Sequence, residues 1–538
     1  MTPKASRRIE KKQRYGRTLA DPYAWLRDPN WQLVIRKPET LQSTIRNHLE
    51  EENEHTQRFL KPTEELRSQL LEELKGRIKA DDVSVPDLDG DWAYYQKYTK
   101  VGQYPLLCRR PRNSDITTNE MILFDGDKEA KGEPFLKIAR SQHSPDHSLL
   151  AIAIDRNGSE RYVIEIRDIK NNITLLDNIT NAQGDLAFSS DSRTLFYTTL
   201  DDNHRPNKVF SHRIGSGSAE DKLVYEEHDP GFFLSVAKTE SGRFILIKAH
   251  DHAETTEVRM IDADHPNAIP KLIRPRETGT SYNISDHNDS LIIHTNFDGA
   301  SDFKIVESSL DEFSPDGWSE LVSHRKGCLI RSVIVFESYL VRLELRAALP
   351  KIIVRDLETD EEHEITFDEE AYDLTLHPGF EFETKILRFS FSSPITPRQI
   401  YDYDMSKRER FLQKEQEIPS GHDPENYICR RIFAPSHDGL KIPVTVLYRK
   451  DTPTDGTSPL LLYGYGSYGY AMPAAFSANI YSLLDRGLIY AIAHIRGGSD
   501  CGYDWYLHGK LTNKKNTFFD FISAAEHLIS ERYTAQGN

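Results

Sequence analysis

The chain has 538 residues, 38% hydrophobic and 10% aromatic, with 68 basic against 84 acidic side chains and a formal net charge of −16. That length exceeds one ordinary domain and predicts two or three. The acidic balance argues against a nucleic-acid partner, which needs clustered Lys and Arg to neutralise phosphates, and mildly favours cationic ligands.

The basic start, Lys4-Ala5-Ser6-Arg7-Arg8, is followed by no apolar h-region, so no secretory signal is read. No apolar run approaches membrane-spanning length. A cytoplasmic location is expected, with neither a membrane nor a nucleic-acid partner. Residues 1–75 then read as a helical extension. Ile45, Leu49, Thr56 and Phe59/Leu60 fall roughly on one face, and Pro62-Thr63-Glu64-Glu65 opens a second helix bearing Leu66, Leu70, Leu71, Leu74 and Ile78. Both apolar faces need a partner, and the expectation is that they dock on the C-terminal domain.

From 76 to 408 the texture is short alternating strands separated by Asp/Gly/Ser/Asn turns. Equivalent positions recur at 92, 148, 193, 243, 290, 339 and 385, in steps of 45 to 56 residues. A period near fifty built of strands predicts propeller blades, seven by this register, although six or eight also fit. A pair of packed sheets is the alternative.

Residues 409–538 read as the opening of an α/β domain. Arg430–Phe433 and Val444–Tyr448 flank a His437-Asp438-Gly439 turn as a hairpin. Ser458–Tyr463 and Leu488–Ala493 are near-continuous apolar runs suited to a buried parallel sheet. Thr517 is read as a helix cap with Asp520 three residues on, Phe518, Ile522, Ala525 and Ile529 as the inward stripe, and Gly537 as the C-terminal cap. No closing strand follows, so the sheet is expected to expose an apolar edge.

A nucleophile is hard to find. Gly-x-Ser-x-Gly does not occur, and in Gly497-Gly498-Ser499-Asp500-Cys501-Gly502 the downstream glycine is one position too far. Ser499 is read as a loop residue and His494 as structural. Arg496 is either a brace for loop carbonyls or an ordinary surface arginine. Cys108, Cys328, Cys429 and Cys501 form no CxxC pair, so no disulfide framework, metal site or cofactor is expected. The glycine-tyrosine run Tyr463–Tyr470 follows a buried strand, where a tyrosine hydroxyl can be held over a reacting carbonyl. As a motif alone it is more often a simple turn with packed rings, and its place at the end of a sheet strand favours a site.

Five segments carry a resemblance: Asp21-Pro22-Tyr23-Ala24-Trp25-Leu26-Arg27-Asp28, Leu200–Pro206, Tyr463-Gly464-Tyr465-Gly466, His494-Ile495-Arg496-Gly497-Gly498, and Asn516–Phe521. With them the chain resembles the prolyl oligopeptidase family of serine peptidases, its oligopeptidase B branch above all. The resemblance implies an N-terminal helical extension, a seven-bladed propeller and an α/β-hydrolase domain, here incomplete. It implies Tyr465 as an oxyanion donor and short peptides as substrates, cleaved after Arg or Lys. The serine, aspartate and histidine of the triad are expected beyond residue 538, so this chain alone should be inactive. Two other readings stand beside this one: a non-catalytic propeller that binds peptides as a scaffold, and one half of a split peptidase whose hydrolase domain a separate chain completes.

Overall fold

The computed structural model describes residues 2–114, 119–251, 254–311, 313 and 315–537. They divide into two compact units, Met1–Gly76 and Arg77–Asn538. The first unit opens on an antiparallel hairpin, Glu10–Arg14 with Arg17–Asp21, that sequence patterning did not reveal. All ten of its strand residues are exposed, so they carry no alternation to read. Tyr15 and Gly16 both take positive φ, as a two-residue hairpin turn of this hand requires. Helices follow at Trp31–Arg36, Ser43–Leu60 and Glu64–Gly76. In the Asp21–Asp28 segment, buried Asp28 accepts from the backbone N–H groups of Asn30 and Gln42, at 2.8 and 3.0 Å, and so ties the first helix to the second. Of the expected apolar faces only Ile45 is buried, while Leu49, Phe59, Leu66 and Leu71 stay exposed.

The second unit begins as an array of antiparallel meanders. Four-stranded sheets cover 87–125, 233–274, 282–322, 328–365 and 373–415, and an eight-stranded sheet covers 137–226. Within the eight-stranded sheet, Ile179–Phe188 pairs with both Tyr162–Asp168 and Thr194–Leu200, which joins two meanders edge to edge. Each of the seven repeat positions read from sequence falls on, or one residue before, the start of a second strand in its meander. The last sheet runs beyond the boundary read at 408. Glu409–Glu415 pairs with Gln399–Asp404, and the change of texture at Met405–Arg408 is the turn before this fourth strand.

Apolar side chains lock successive sheets face to face. Leu107 and Phe124 meet Ile152 and Ile154, Phe196 and Val209 meet Ile245 and Ile247, and Val341 and Ile352 meet Leu387 and Phe389. Burying one such side chain stabilises by about 1.5–3 kcal/mol. The first and last sheets meet through charge as well as through the edge-on rings of Tyr94 and Phe380. Arg388 donates to Asp87 at 2.9 Å and to the Pro86 carbonyl at 2.7 Å, and Arg112 grips Glu381.

The C-terminal sheet has the strand order Tyr427–Pro435, Lys441–Arg449, Ile489–Ala493, Leu460–Tyr463. The hairpin across the His437-Asp438-Gly439 turn is as read, and the Leu460–Tyr463 and Ile489–Ala493 strands run parallel. Leu460–Tyr463 ends the sheet, with Leu461 and Tyr463 exposed.

The final helix, Lys515–Ser530, overturns the stripe and the caps read for it. Its buried residues are Thr517, Asp520, Ala524 and Leu528, with Ala524 and Leu528 packed on Val444 and Ala491. Phe518, Ile522 and Ile529 point outward, and Ala525 is half-buried. Hydropathy selected the wrong face because the inward one carries Thr517 and Asp520, which have buried polar partners. Thr517 lies inside the helix rather than at its cap. The C-terminal end is turned by Arg532 at φ +62°, not by Gly537.

The meanders and the C-terminal sheet meet through turns that join second to third strands. Ala348 N–H donates to the Asp500 carbonyl at 2.6 Å, Asp302 accepts from Tyr503 N–H at 2.6 Å, and Glu254 pairs with Lys510. Tyr481 hydroxyl adds a bond to the Pro394 carbonyl at 2.5 Å.

Candidate active site

Three glycine-bearing segments nest at the carboxyl ends of the two parallel strands, where ligand sites of α/β sheets gather. The loop after Leu460–Tyr463 carries Gly466 at φ +61°, and the loop after Ile489–Ala493 carries Gly497 at φ +96°. A Cβ on Gly497 would strike the Gly466 carbonyl oxygen, and one on Gly509 would strike the Gly497 backbone. Gly497→Ala is therefore expected to cost about 1–3 kcal/mol in backbone strain, read as an earlier urea midpoint. Thr517 hydroxyl donates to the Arg496 carbonyl at 2.7 Å, and Lys514 ammonium donates to Ser467 Oγ at 2.8 Å and to the Gly466 carbonyl. The glycine-tyrosine loop is thus held from both sides.

That loop presents Tyr465, 43% exposed, edge-on to Tyr470 with ring centroids 5.8 Å apart. Tyr468, at φ +55°, is more exposed still. The rings line the loop's open side instead of filling a core, unlike the packed-turn alternative.

Beneath the loop lies an ion cluster that spacing alone could not show. Arg496 is 2% exposed. It donates through Nε and Nη2 to Asp520 at 2.8 and 2.6 Å, and through Nη1 to Asp438 Oδ2 at 2.6 Å. Asp520 also accepts from Arg496 N–H at 3.0 Å. The partners are carboxylates, and the surface reading of Arg496 fails. Burial pushes the Asp438 carboxyl up, but the Arg496 guanidinium and the Ser436 hydroxyl outweigh it and hold the carboxyl at about 2.

His494 is buried and bonded on both nitrogens, Nδ1 to Asp500 at 2.9 Å and Nε2 to Thr445 Oγ1 at 2.9 Å. Asp500 in turn accepts from Met472 N–H. Ser499 hydroxyl donates to the Gly469 carbonyl at 2.6 Å from a buried loop position. Neither residue faces an open site; both fix the loops. Asp438, Asp500 and Asp520, the acids of this arrangement, were missed as site residues in sequence because their partners lie on other elements.

The comparisons with known proteins agree with this architecture. Residues 3–416 match the family described as "Prolyl oligopeptidase, N-terminal beta-propeller domain" and residues 474–538 the "Prolyl oligopeptidase family". Dipeptidyl aminopeptidase BI of Pseudoxanthomonas mexicana is 35% identical over 537 residues, a match covering 97% of this chain and 72% of the relative. Protease 2 of Moraxella lacunata is 30% identical over 527 residues, covering 97% and 74%. The structure of oligopeptidase B from Leishmania major superposes with a TM-score of 0.92 at 31% identity, covering 99% of this chain and 77% of the other. The strand array is thus the N-terminal propeller domain and the C-terminal sheet part of the hydrolase domain, and the chain belongs to the prolyl oligopeptidase family of serine peptidases.

Proposed function

We propose that residues 1–538 form the propeller and the leading part of the hydrolase domain of an oligopeptidase that cleaves short peptides after Arg or Lys. The reaction is acyl transfer from a serine activated by histidine and aspartate, with the Tyr465 hydroxyl donating to the oxyanion of the tetrahedral intermediate. The observation that carries this is the placing of Tyr465: half-exposed, at the carboxyl end of a parallel strand, on a loop that nested glycines and Lys514 hold still. Such preorganisation lets a donor stabilise developing charge without reorganising.

Three finer points go with this reading. The seven strand registers are seven blades, with the Asp87–Arg388 and Arg112–Glu381 contacts joining first to last. Residues 1–75 dock on the hydrolase domain through the apolar side chains that remain exposed on their helices. The outward Phe518, Ile522 and Ile529, with the edge strand Leu461 and Tyr463, receive further hydrolase polypeptide bearing the triad, in the same chain or a separate one. Support for the last point is the match to only 72–77% of the length of these relatives. Among the described residues no helix is long and apolar enough to cross a membrane, and the proposed setting is the cytoplasm.

The test is a chain completed with a segment carrying the elbow serine, aspartate and histidine. It should cleave arginyl and lysyl peptides, and Tyr465→Phe should lower its kcat by about 10²–10³ with little change in KM. An unchanged kcat would remove Tyr465 from the mechanism.

A further inference from the structure

Far from the glycine-tyrosine loop, two histidines and an aspartate converge where the first and second sheets meet. One ligand atom from each of Asp89, His143 and His147 lies within 4.8 Å of the other two. Asp89 ends the first strand of its sheet, His143 ends the first strand of the next, and His147 sits in the turn after it. We propose that these three residues bind one divalent cation of the zinc class, which clips the Asp89–Gly90 turn to the Ser144–Ser148 turn.

The donor set suits such an ion: two imidazole nitrogens and a carboxylate oxygen, with a fourth position left for water. His143 Nε2 and Asp89 Oδ2 are 2.6 Å apart, close enough for one ion to take the place of the hydrogen bond between them. His147 Nδ1 is engaged by the Tyr94 hydroxyl at 2.9 Å, and its Nε2 lies over Gly90, 3.3 Å from where a Cβ would stand. The nitrogen free to ligate thus faces the turn beside Asp89, while the other is held by an outer partner, as metal-bound imidazoles are. Tyr94 also stacks on His143 at 3.9 Å between centroids, and Phe380 packs edge-on to it at 4.7 Å, so the His143 ring is held in place by its neighbours. His143, Tyr94 and Phe380 line a cavity of about 570 Å³, which gives a path of entry.

The turn itself does not require histidine. The corresponding turns of later meanders place Ser192 and Gly242 in the same left-handed conformation, at φ +61° and +75°, where His147 has +58°. A residue with a short side chain therefore serves the backbone. A histidine there supplies a nitrogen that the fold does not need. These turns join first to second strands, so in a meander they lie at the end opposite the second-to-third-strand turns that touch the C-terminal sheet. The clip thus belongs to the far face of the propeller. Cysteine spacing gave no hint of it, because its ligands are histidines and an aspartate brought together from two sheets.

The test uses the untagged 538-residue chain, stripped with chelator and titrated with zinc chloride by calorimetry in two buffers of different ionisation enthalpy. One Zn²⁺ per chain should bind at micromolar free zinc, with the same stoichiometry in both buffers. His147→Asn keeps the left-handed turn, since asparagine visits that conformation readily, and should weaken binding by about 100-fold or more; Tyr94→Phe, which removes only the outer partner, should weaken it by about 10-fold. Circular dichroism of the stripped proteins should be the same for all three. The assignment fails if the parent binds no zinc, or if His147→Asn binds it within about 10-fold of the parent.

Discussion

Mixed with a short peptide containing one arginine, the 538-residue chain alone is expected to release no fragments, its turnover lying about 10⁶-fold below that of a completed chain. Ser499 hydroxyl is committed to the Gly469 carbonyl. The nearby His494 has both nitrogens engaged by Asp500 and Thr445, which leaves none to take a proton from a serine. What remains is a tyrosine donor and a binding surface, and oxyanion donors with binding supply only about 10³–10⁴ over the uncatalysed reaction. The measurement is cleavage of a fluorogenic arginyl peptide together with labelling by an active-site-directed fluorophosphonate. Robust cleavage with the label on Ser499 would overturn both the loop reading of that residue and the proposed division of the machinery.

Arg496→Met is expected to destabilise the C-terminal domain by about 3–5 kcal/mol, the cost of stranding a buried charge. Asp520 has no exposed side-chain surface and receives three bonds from this one residue. Arg496→Lys should fare little better, since a point charge cannot span the two oxygens as the guanidinium fork does. Asp520→Asn added to Arg496→Met should recover part of the loss by removing the stranded charge. Urea unfolding followed by tryptophan fluorescence reads this, since one of the five tryptophans, Trp505, has its ring 5.7 Å from the Arg496 guanidinium carbon. A loss below about 1 kcal/mol would place the cluster with ordinary surface pairs. Acid gives a second readout. The Asp438 carboxyl is held at about 2 when folded, against about 3.9 unfolded. Its contribution is therefore complete above about pH 4 and is lost as pH falls toward the folded value. The Tm gap between parent and Asp438→Asn should close over that window.

Much of this architecture was legible in the sequence, for identifiable reasons. The positions at 92, 148, 193, 243, 290, 339 and 385 could be found because each second strand follows a polar turn and alternates or runs apolar. The hairpin at 10–21 could not, because strands exposed on both faces carry no period. Hydropathy misplaced the Lys515–Ser530 helix because its inward face holds Thr517 and Asp520, polar residues whose partners come from other elements. In the candidate site, Tyr465 was legible only through family resemblance. The bonds from Arg496 to Asp438 and Asp520 were not, since no local spacing encodes a pairing 58 residues back and 24 forward.

The meeting of first and last sheets sets a clock on biosynthesis. Asp87 waits for Arg388, 301 residues later. At about 5–20 residues per second, the ribosome takes on the order of 15–60 s to make the intervening chain. For that interval the earliest meander stands with one face uncovered, its Tyr94 ring still without the Phe380 ring that later packs edge-on to it. Among the contacts that finally join it to the last sheet is an arginine held by carboxylate and carbonyl. The newborn chain thus has a vulnerable period that ends abruptly, and slowing translation before codon 388 should lengthen it and raise the demand for chaperones.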